Sequence, residues 1–289
     1  MKLKMKVALL VGALAFAGQA SAAITNTAAL GNNLVLSVWD QTNSTSFTAN
    51  LGSTIQSFLT GAGVTFGGTS TAPAITGSDT AANNFSYTNA ALTSYLATAG
   101  ANTIWSVSAG TNTGTVANYG QVGLLTTVAV PGAQVGTTSG ALTTAIGNFS
   151  GNYVAGVNSV MGAANTLTTN AAAGIAGGYV GGLGSNFLNA TTFSSMANLG
   201  QSMNFYFMTP TATASGRGTT YTGSTSFQFA NATGASNWTL GSNGTLSYST
   251  AAVAAVPEPG EWLLMLSGFG LIGFIAMRRK DQSTGMTFA

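Results

Sequence analysis

The chain has 289 residues, with seven basic and five acidic side chains, no histidine and no cysteine. That inventory excludes disulfides, zinc centres built on His or Cys, and Ser-His-Asp or Cys-His nucleophilic catalysis. All but three of the charges (Asp40, Asp79 and Arg217) lie in the two terminal segments, so the basic balance is not the clustered Lys/Arg surface that nucleic-acid binding needs.

The first segment is a secretory signal peptide, residues 1–22. Lys2, Lys4 and Lys6 make a basic start, Val7 to Ala17 an apolar stretch too short to span a bilayer, and Ala20-Ser21-Ala22 a small-residue cleavage site. Cleavage after Ala22 makes Ala23 the first residue of the mature chain.

An exported domain is expected over residues 23–252, mainly β with a few helices (α+β), its strands arranged as a β-sandwich. Asn33 to Trp39 is rich in β-formers and apolar enough for burial on both faces. Asp40 to Asn43 makes a turn and Ser46 to Leu51 the pairing strand. A short helix follows Gly52-Ser53-Thr54, with Ile55, Phe58 and Leu59 on one face. Gly61 to Asn84 suggests loops with one strand near Val64 to Phe66.

Asn89 to Ala99 has helical spacing at Leu92, Tyr95, Leu96 and Ala99, and strands are expected at Thr103 to Ser108 and Gln121 to Val130. In Ala141 to Met161 the apolar positions Leu142, Ile146, Phe149, Tyr153, Val157 and Val160 repeat with helical period. Gly147, Gly151 and Gly156 interrupt that helix, each at a cost of roughly 1 kcal/mol against alanine. Ala171 to Gly184 is so rich in Ala and Gly that flexibility is expected. The last third reads as strands: Met203 to Met208, Thr225 to Phe229, and a hairpin of Trp238 to Leu240 with Thr245 to Tyr248 across Gly241-Ser242-Asn243-Gly244.

Residues 253–289 change character. Val256-Pro257-Glu258-Pro259 is held extended by its prolines. Trp262 to Met277 follows without a charge, about 24 Å as a helix, slightly short of a full span. Arg278-Arg279-Lys280 closes it as a cytoplasmic membrane-anchor stop. Gly268, Gly270 and Gly273 match a dinucleotide fingerprint in letters alone, without the strand and downstream acid that it requires.

Proline motif, apolar helix and basic cluster, in that order, resemble the PEP-CTERM sorting signal of Gram-negative surface proteins. The resemblance covers about the last tenth of the chain. Family members usually stop soon after the basic cluster, whereas nine residues follow Lys280 here. It implies an address label read by an exosortase, a membrane-embedded cysteine transpeptidase-like enzyme that cuts at or near Val256, Pro257, Glu258 and Pro259. It also implies a life history. The chain passes through the inner membrane, is anchored there transiently, and is then released to the cell surface or the extracellular matrix.

The implied partners are signal peptidase, exosortase and the inner membrane, with exopolysaccharide of a biofilm or floc as a further one; neither nucleic acid, metal nor cofactor is expected. Three functional readings follow, in descending order. The first is a structural or adhesive matrix component rather than an enzyme. The second is a glycan-binding module that stacks sugars on Trp39, Trp105 or Trp238. The third is a secreted hydrolase, for which Asp40 and Asp79 are the one available carboxylate pair in the body. Asn43, Asn84, Asn148 and Asn237 head Asn-x-Ser/Thr sequons, which chance supplies readily in an Asn- and Thr-rich chain.

Overall fold

The computed structural model describes residues 23–27, 31–69, 72–76, 79, 85–111, 123–129, 139–161, 165–183, 196–215 and 218–250, together with 267, 269, 271 and 272. The chain divides into two compact units, Met1–Ala251 and Ala252–Ala289. The first is mainly β, as its composition suggests.

A two-residue strand, β1 (Asn26–Thr27), pairs with β2 (Gly31–Asp40), and β2 turns back into β3 (Thr45–Thr54) with Val38 opposite Phe47. Helix α1 (Ile55–Gly61) starts where the Thr54 hydroxyl accepts from the Ser57 N–H, and it buries Ile55, Phe58 and Leu59. The segment after it holds a hairpin rather than one strand: β4 (Thr65–Thr69) pairs with β5 (Ala72–Thr76). Pro73 is tolerated because this is a two-stranded ribbon with an open side.

Strand β6 (Phe85–Thr88) leads to α2 (Ala90–Thr98), capped by the Asn89 side chain and burying Leu92, Tyr95 and Leu96. β7 (Thr103–Thr111) and β8 (Gly123–Val128) follow. After β9 (Thr166–Asn170) come β10 (Ala197–Asn198), the long β11 (Ser202–Ser215), β12 (Gly218–Gln228), the short pair β13 (Ala230–Asn231) and β14 (Gly234–Ala235), and the hairpin β15 (Asn237–Leu240) and β16 (Thr245–Ser249). The hairpin turn closes through Gly241 N–H to Thr245 O at 2.9 Å, with Gly244 at a φ of 79° that glycine adopts freely.

The expected sandwich of two stacked sheets is corrected. Among the described residues twelve strands join one curled antiparallel sheet along the path β6-β16-β15-β11-β8-β7-β2-β3-β9, with β1, β10 and β12 attached beside it. The reason lies in β11. Its fourteen residues pair with β15 and β12 on one side and β8 on the other, so the two halves stay hydrogen-bonded and no break separates them.

The sheet buries both faces. One carries Leu34, Leu36, Val38, Phe47, Trp105, Val107, Phe205, Phe207, Trp238 and Tyr248, drawn from both halves of the sheet and packed on α1 and α2. Strand alternation sends Val35, Leu124 and Met208 to the other face. That face is covered by α3 (Ser139–Gly147), a π-helical stretch (Asn148–Tyr153) and α4 (Val154–Met161).

The π stretch explains a departure from the sequence pattern. It inserts one residue into the helical repeat. Up to Tyr153 the buried positions follow the expected spacing; beyond it Val154, Val157 and Met161 face inward and Val160 is 53% exposed.

The Ala/Gly-rich stretch is ordered rather than flexible over 171–183. It forms three 3-10 turns, Ala171–Ala173, Ile175–Gly177 and Val180–Leu183, and buries Val180 and Leu183. Gly156 makes this possible: a Cβ there would strike the Ile175 carbonyl oxygen and lie 2.8 Å from that of Ala176.

Candidate functional site

At the N-terminal junction, Ala20 and Ala22 lie outside the described residues, and Ala23 is exposed. Ile24, one residue on, is buried at 2% exposure. Its N–H donates to Asn158 Oδ1 at 2.7 Å, and its carbonyl accepts from Asn158 Nδ2 at 3.0 Å. Asn50 Nδ2 donates to the Ala23 carbonyl at 3.2 Å. Among the described residues the first buried one is therefore Ile24, and Ala23 stands at the surface.

The sorting motif Val256, Pro257, Glu258 and Pro259 and the basic cluster Arg278, Arg279 and Lys280 lie outside the described residues. Of the apolar run, Ser267, Phe269, Leu271 and Ile272 are helical. The three large ones are more than 60% exposed. Among the described residues no helix is long and apolar enough to cross a membrane.

The two aspartates are buried in separate clusters with no shared partner. Asp40 caps the β2–β3 turn, as expected. Its Oδ1 accepts from the N–H groups of Thr42 at 2.9 Å and Asn43 at 3.1 Å. Its Oδ2 accepts from Asn43 Nδ2 at 2.6 Å and Gly100 N–H at 2.9 Å. Burial pushes this carboxyl's pKa up, but the hydrogen bonds from Gly100, Asn43 and Thr42 outweigh that and hold it below the ordinary 3.8.

Asp79 is fully buried beside the aromatic cluster. Its Oδ2 accepts from Ser236 Oγ at 2.6 Å and, in a shorter bond, from the Tyr248 hydroxyl. Among the described residues Oδ1 has no hydrogen-bond partner. Burial raises this carboxyl's pKa above 3.8 despite the two hydroxyls, and raises Tyr248 as well. Sequence spacing carried no hint of this cluster, because Asp79, Ser236 and Tyr248 are brought together from about 170 residues of chain by tertiary packing alone. Arg217 lies outside the described residues.

Chemically, Asp79 is a sealed strut. Both donors meet one oxygen inside a closed aromatic core, so no substrate atom reaches the carboxyl in this conformation. Asp40 is saturated with four donors. Neither geometry offers the facing carboxylates that glycoside hydrolysis uses. Among the described residues no three acidic side chains gather to hold a metal.

Two of the three tryptophans considered as sugar-stacking platforms are closed off by burial. Trp105 and Trp238 are completely buried, and half-buried Trp39 donates its Nε1 to the Tyr179 hydroxyl at 2.9 Å. Of the sequon amides, Asn43 is bound to Asp40, Asn237 Nδ2 donates to the Ala235 carbonyl at 2.9 Å, and Asn84 lies outside the described residues. Asn148 Oδ1 accepts from Asn152 Nδ2 at 3.1 Å. An open cleft of roughly 330 Å³ runs between α4 and Ile175–Ala176, lined mostly by Gly and Ala, with Asn152 and Ser159 as its polar side chains and no ionisable group.

No protein-family model matches the chain, and neither a curated protein nor a solved structure matches it.

Proposed function

We propose that this chain is an exported, non-enzymatic structural or adhesive component of a Gram-negative cell surface or extracellular matrix, associated with exopolysaccharide of a biofilm or floc. An exosortase reads residues 253–289 as a removable tail, and the apolar run Trp262 to Met277 holds the chain transiently in the inner membrane as a transmembrane helix.

The observation that carries this reading is the sequence of the tail: a Pro-Glu-Pro motif, an uncharged apolar run and a basic stop, in that order. Two structural features support it. The compact body ends at Ala251, just before the tail begins. Buried Ile24 directly follows the exposed Ala23 that signal peptidase would leave as the new terminus. The interior position of both described aspartates supports an inert body, and a chain rich in Ser, Thr, Asn and Gly suits a hydrated neutral polymer.

Intact-mass measurement of native protein from envelope and medium tests the proposal. The expected chain starts at Ala23 and lacks Trp262 to Ala289. Native protein that keeps the apolar run would overturn it. Pro257→Ala with Pro259→Ala is expected to leave the uncut form in the inner membrane.

A further inference from the structure

Among the described residues the sheet ends at β6, and the chemistry of that rim is unusual. In the β15–β16 hairpin the Gly241–Thr245 pair closes the turn with a hydrogen bond. Antiparallel ladders alternate hydrogen-bonded and non-bonded pairs, so Ser247 directs its backbone groups to β15, whereas Leu246 and Tyr248 direct theirs to β6. Leu246 lies opposite Tyr87 and Tyr248 opposite Phe85. It follows that Ser86 and Thr88 point their N–H and C=O groups outward, away from the sheet. Among the described residues neither has a backbone partner there.

Edge strands are normally protected by a charge, a proline or a bulge. Phe85-Ser86-Tyr87-Thr88 has none of these. Its alternate residues Phe85 and Tyr87 remain half-exposed while leaning on the inner core, and Ser86 between them is exposed. The pattern is self-complementary. In an antiparallel pairing with Ser86 opposite Ser86, the two serines exchange both backbone hydrogen bonds. Phe85 of each copy then falls opposite Tyr87 of the other in a non-bonded pair, where side chains approach most closely. This register also keeps the aromatic face of one sheet continuous with that of the next.

We propose that β6 is an association edge on which a second copy of this chain pairs antiparallel about a two-fold axis through Ser86. Charge does not oppose the approach: β6, β16 and α2 carry no ionised side chain, and Asp40 and Asp79 are buried. The two-fold makes the contact isologous. The pairing deepens the matrix reading, yet it does not depend on how the tail is processed.

The absence of cysteine permits a direct test. Full-length Ser86→Cys in mild detergent is treated with a short bismaleimide, beside Val160→Cys, an exposed position on α4, and Thr168→Cys on β9, the opposite rim. The expected result is a covalent dimer as the main product from Ser86→Cys and mostly monomer from the other two. Equal cross-linking at all three positions, or preferential cross-linking at Thr168→Cys, overturns the proposal. Ser86→Pro removes an outward N–H without touching the bonds to β16. It is expected to abolish concentration-dependent dimerisation in sedimentation velocity with the far-UV circular dichroism unchanged. A folded Ser86→Pro protein that still dimerises also overturns it. Dimers with an unprocessed native tail would refute the sorting proposal alone, and correctly processed monomers the pairing alone.

Discussion

The two faces of the sheet are held by different physics. The inner face is aromatic: Phe58 on α1 meets Phe205 at 5.2 Å, Tyr248 at 5.3 Å and Phe229 at 5.4 Å between ring centroids, mostly edge to face. The outer face mixes aliphatic side chains with hydroxyls under a helix. There Tyr153 is bonded to Thr48 Oγ1 at 2.6 Å and Ser37 Oγ at 3.0 Å, and burial lifts its pKa to about 12. Large rings close the inner face; on the outer face small residues let backbones touch. One sheet can thus satisfy a sequence that is rich in Phe in one register and in Ser, Thr and Gly in the other.

The contrast is tested most strongly at Phe58. Truncation to alanine is expected to cost about 3–5 kcal/mol in urea unfolding, since the ring is the hub of the inner cluster. A cost near that of an exposed site would show that α1 is not what closes the inner face.

Glycines sharpen the outer half. Gly156→Ala is expected to destabilise by about 2 kcal/mol, because its Cβ meets backbone carbonyls that cannot swing aside. At Gly147, in the same helical run, an added Cβ would meet nothing within 4 Å, so alanine is expected to stabilise by up to about 1 kcal/mol. Opposite signs in thermal unfolding would verify the close approach; equal signs would refute it.

The inner face holds the buried carboxyl of Asp79 against the Tyr248 ring, and pH reads its environment against that of Asp40. The Asp79 pKa is raised by burial, so its contribution to stability is full below 3.8 and is lost as pH rises through the folded-state value. Asp40, lowered by its hydrogen bonds, contributes above 3.8 and loses that as pH falls through its depressed value. Asp79→Asn should therefore remove the loss on the neutral side and leave the acid-side loss intact, measured as urea midpoint against pH. The smallest effect is expected at Val160→Ser, within about 0.5 kcal/mol, because the π stretch has turned that position to solvent.

Much of the fold was legible in short-range pattern. β-forming, apolar composition placed β2, the turn at Asp40 to Asn43 placed its partner β3, and Met203 to Met208 marked part of β11. Thr54 and Asn89 marked helix starts, and Gly241 to Gly244 a hairpin turn. What escaped has physical reasons. A π insertion has no compositional signature, so Val160 was expected inside. Gly156 looked like a helix weakness, whereas its missing side chain admits Ile175 and Ala176. β6 and β5 are too short for periodicity to register, and the Asp79 cluster joins residues remote in sequence.

By itself the sequence carries the export and sorting proposal and excludes His- and Cys-based chemistry, because residue inventory and the order of motifs in the tail are properties of composition and local sequence. Only the tertiary structure decided that one sheet rather than two carries the core, that Trp105 and Trp238 are buried, and that Ser86 faces out at the rim of the described sheet. Those outcomes depend on which distant strands share hydrogen bonds, and pairing of that kind is set by the packing of the whole chain rather than by any stretch of it.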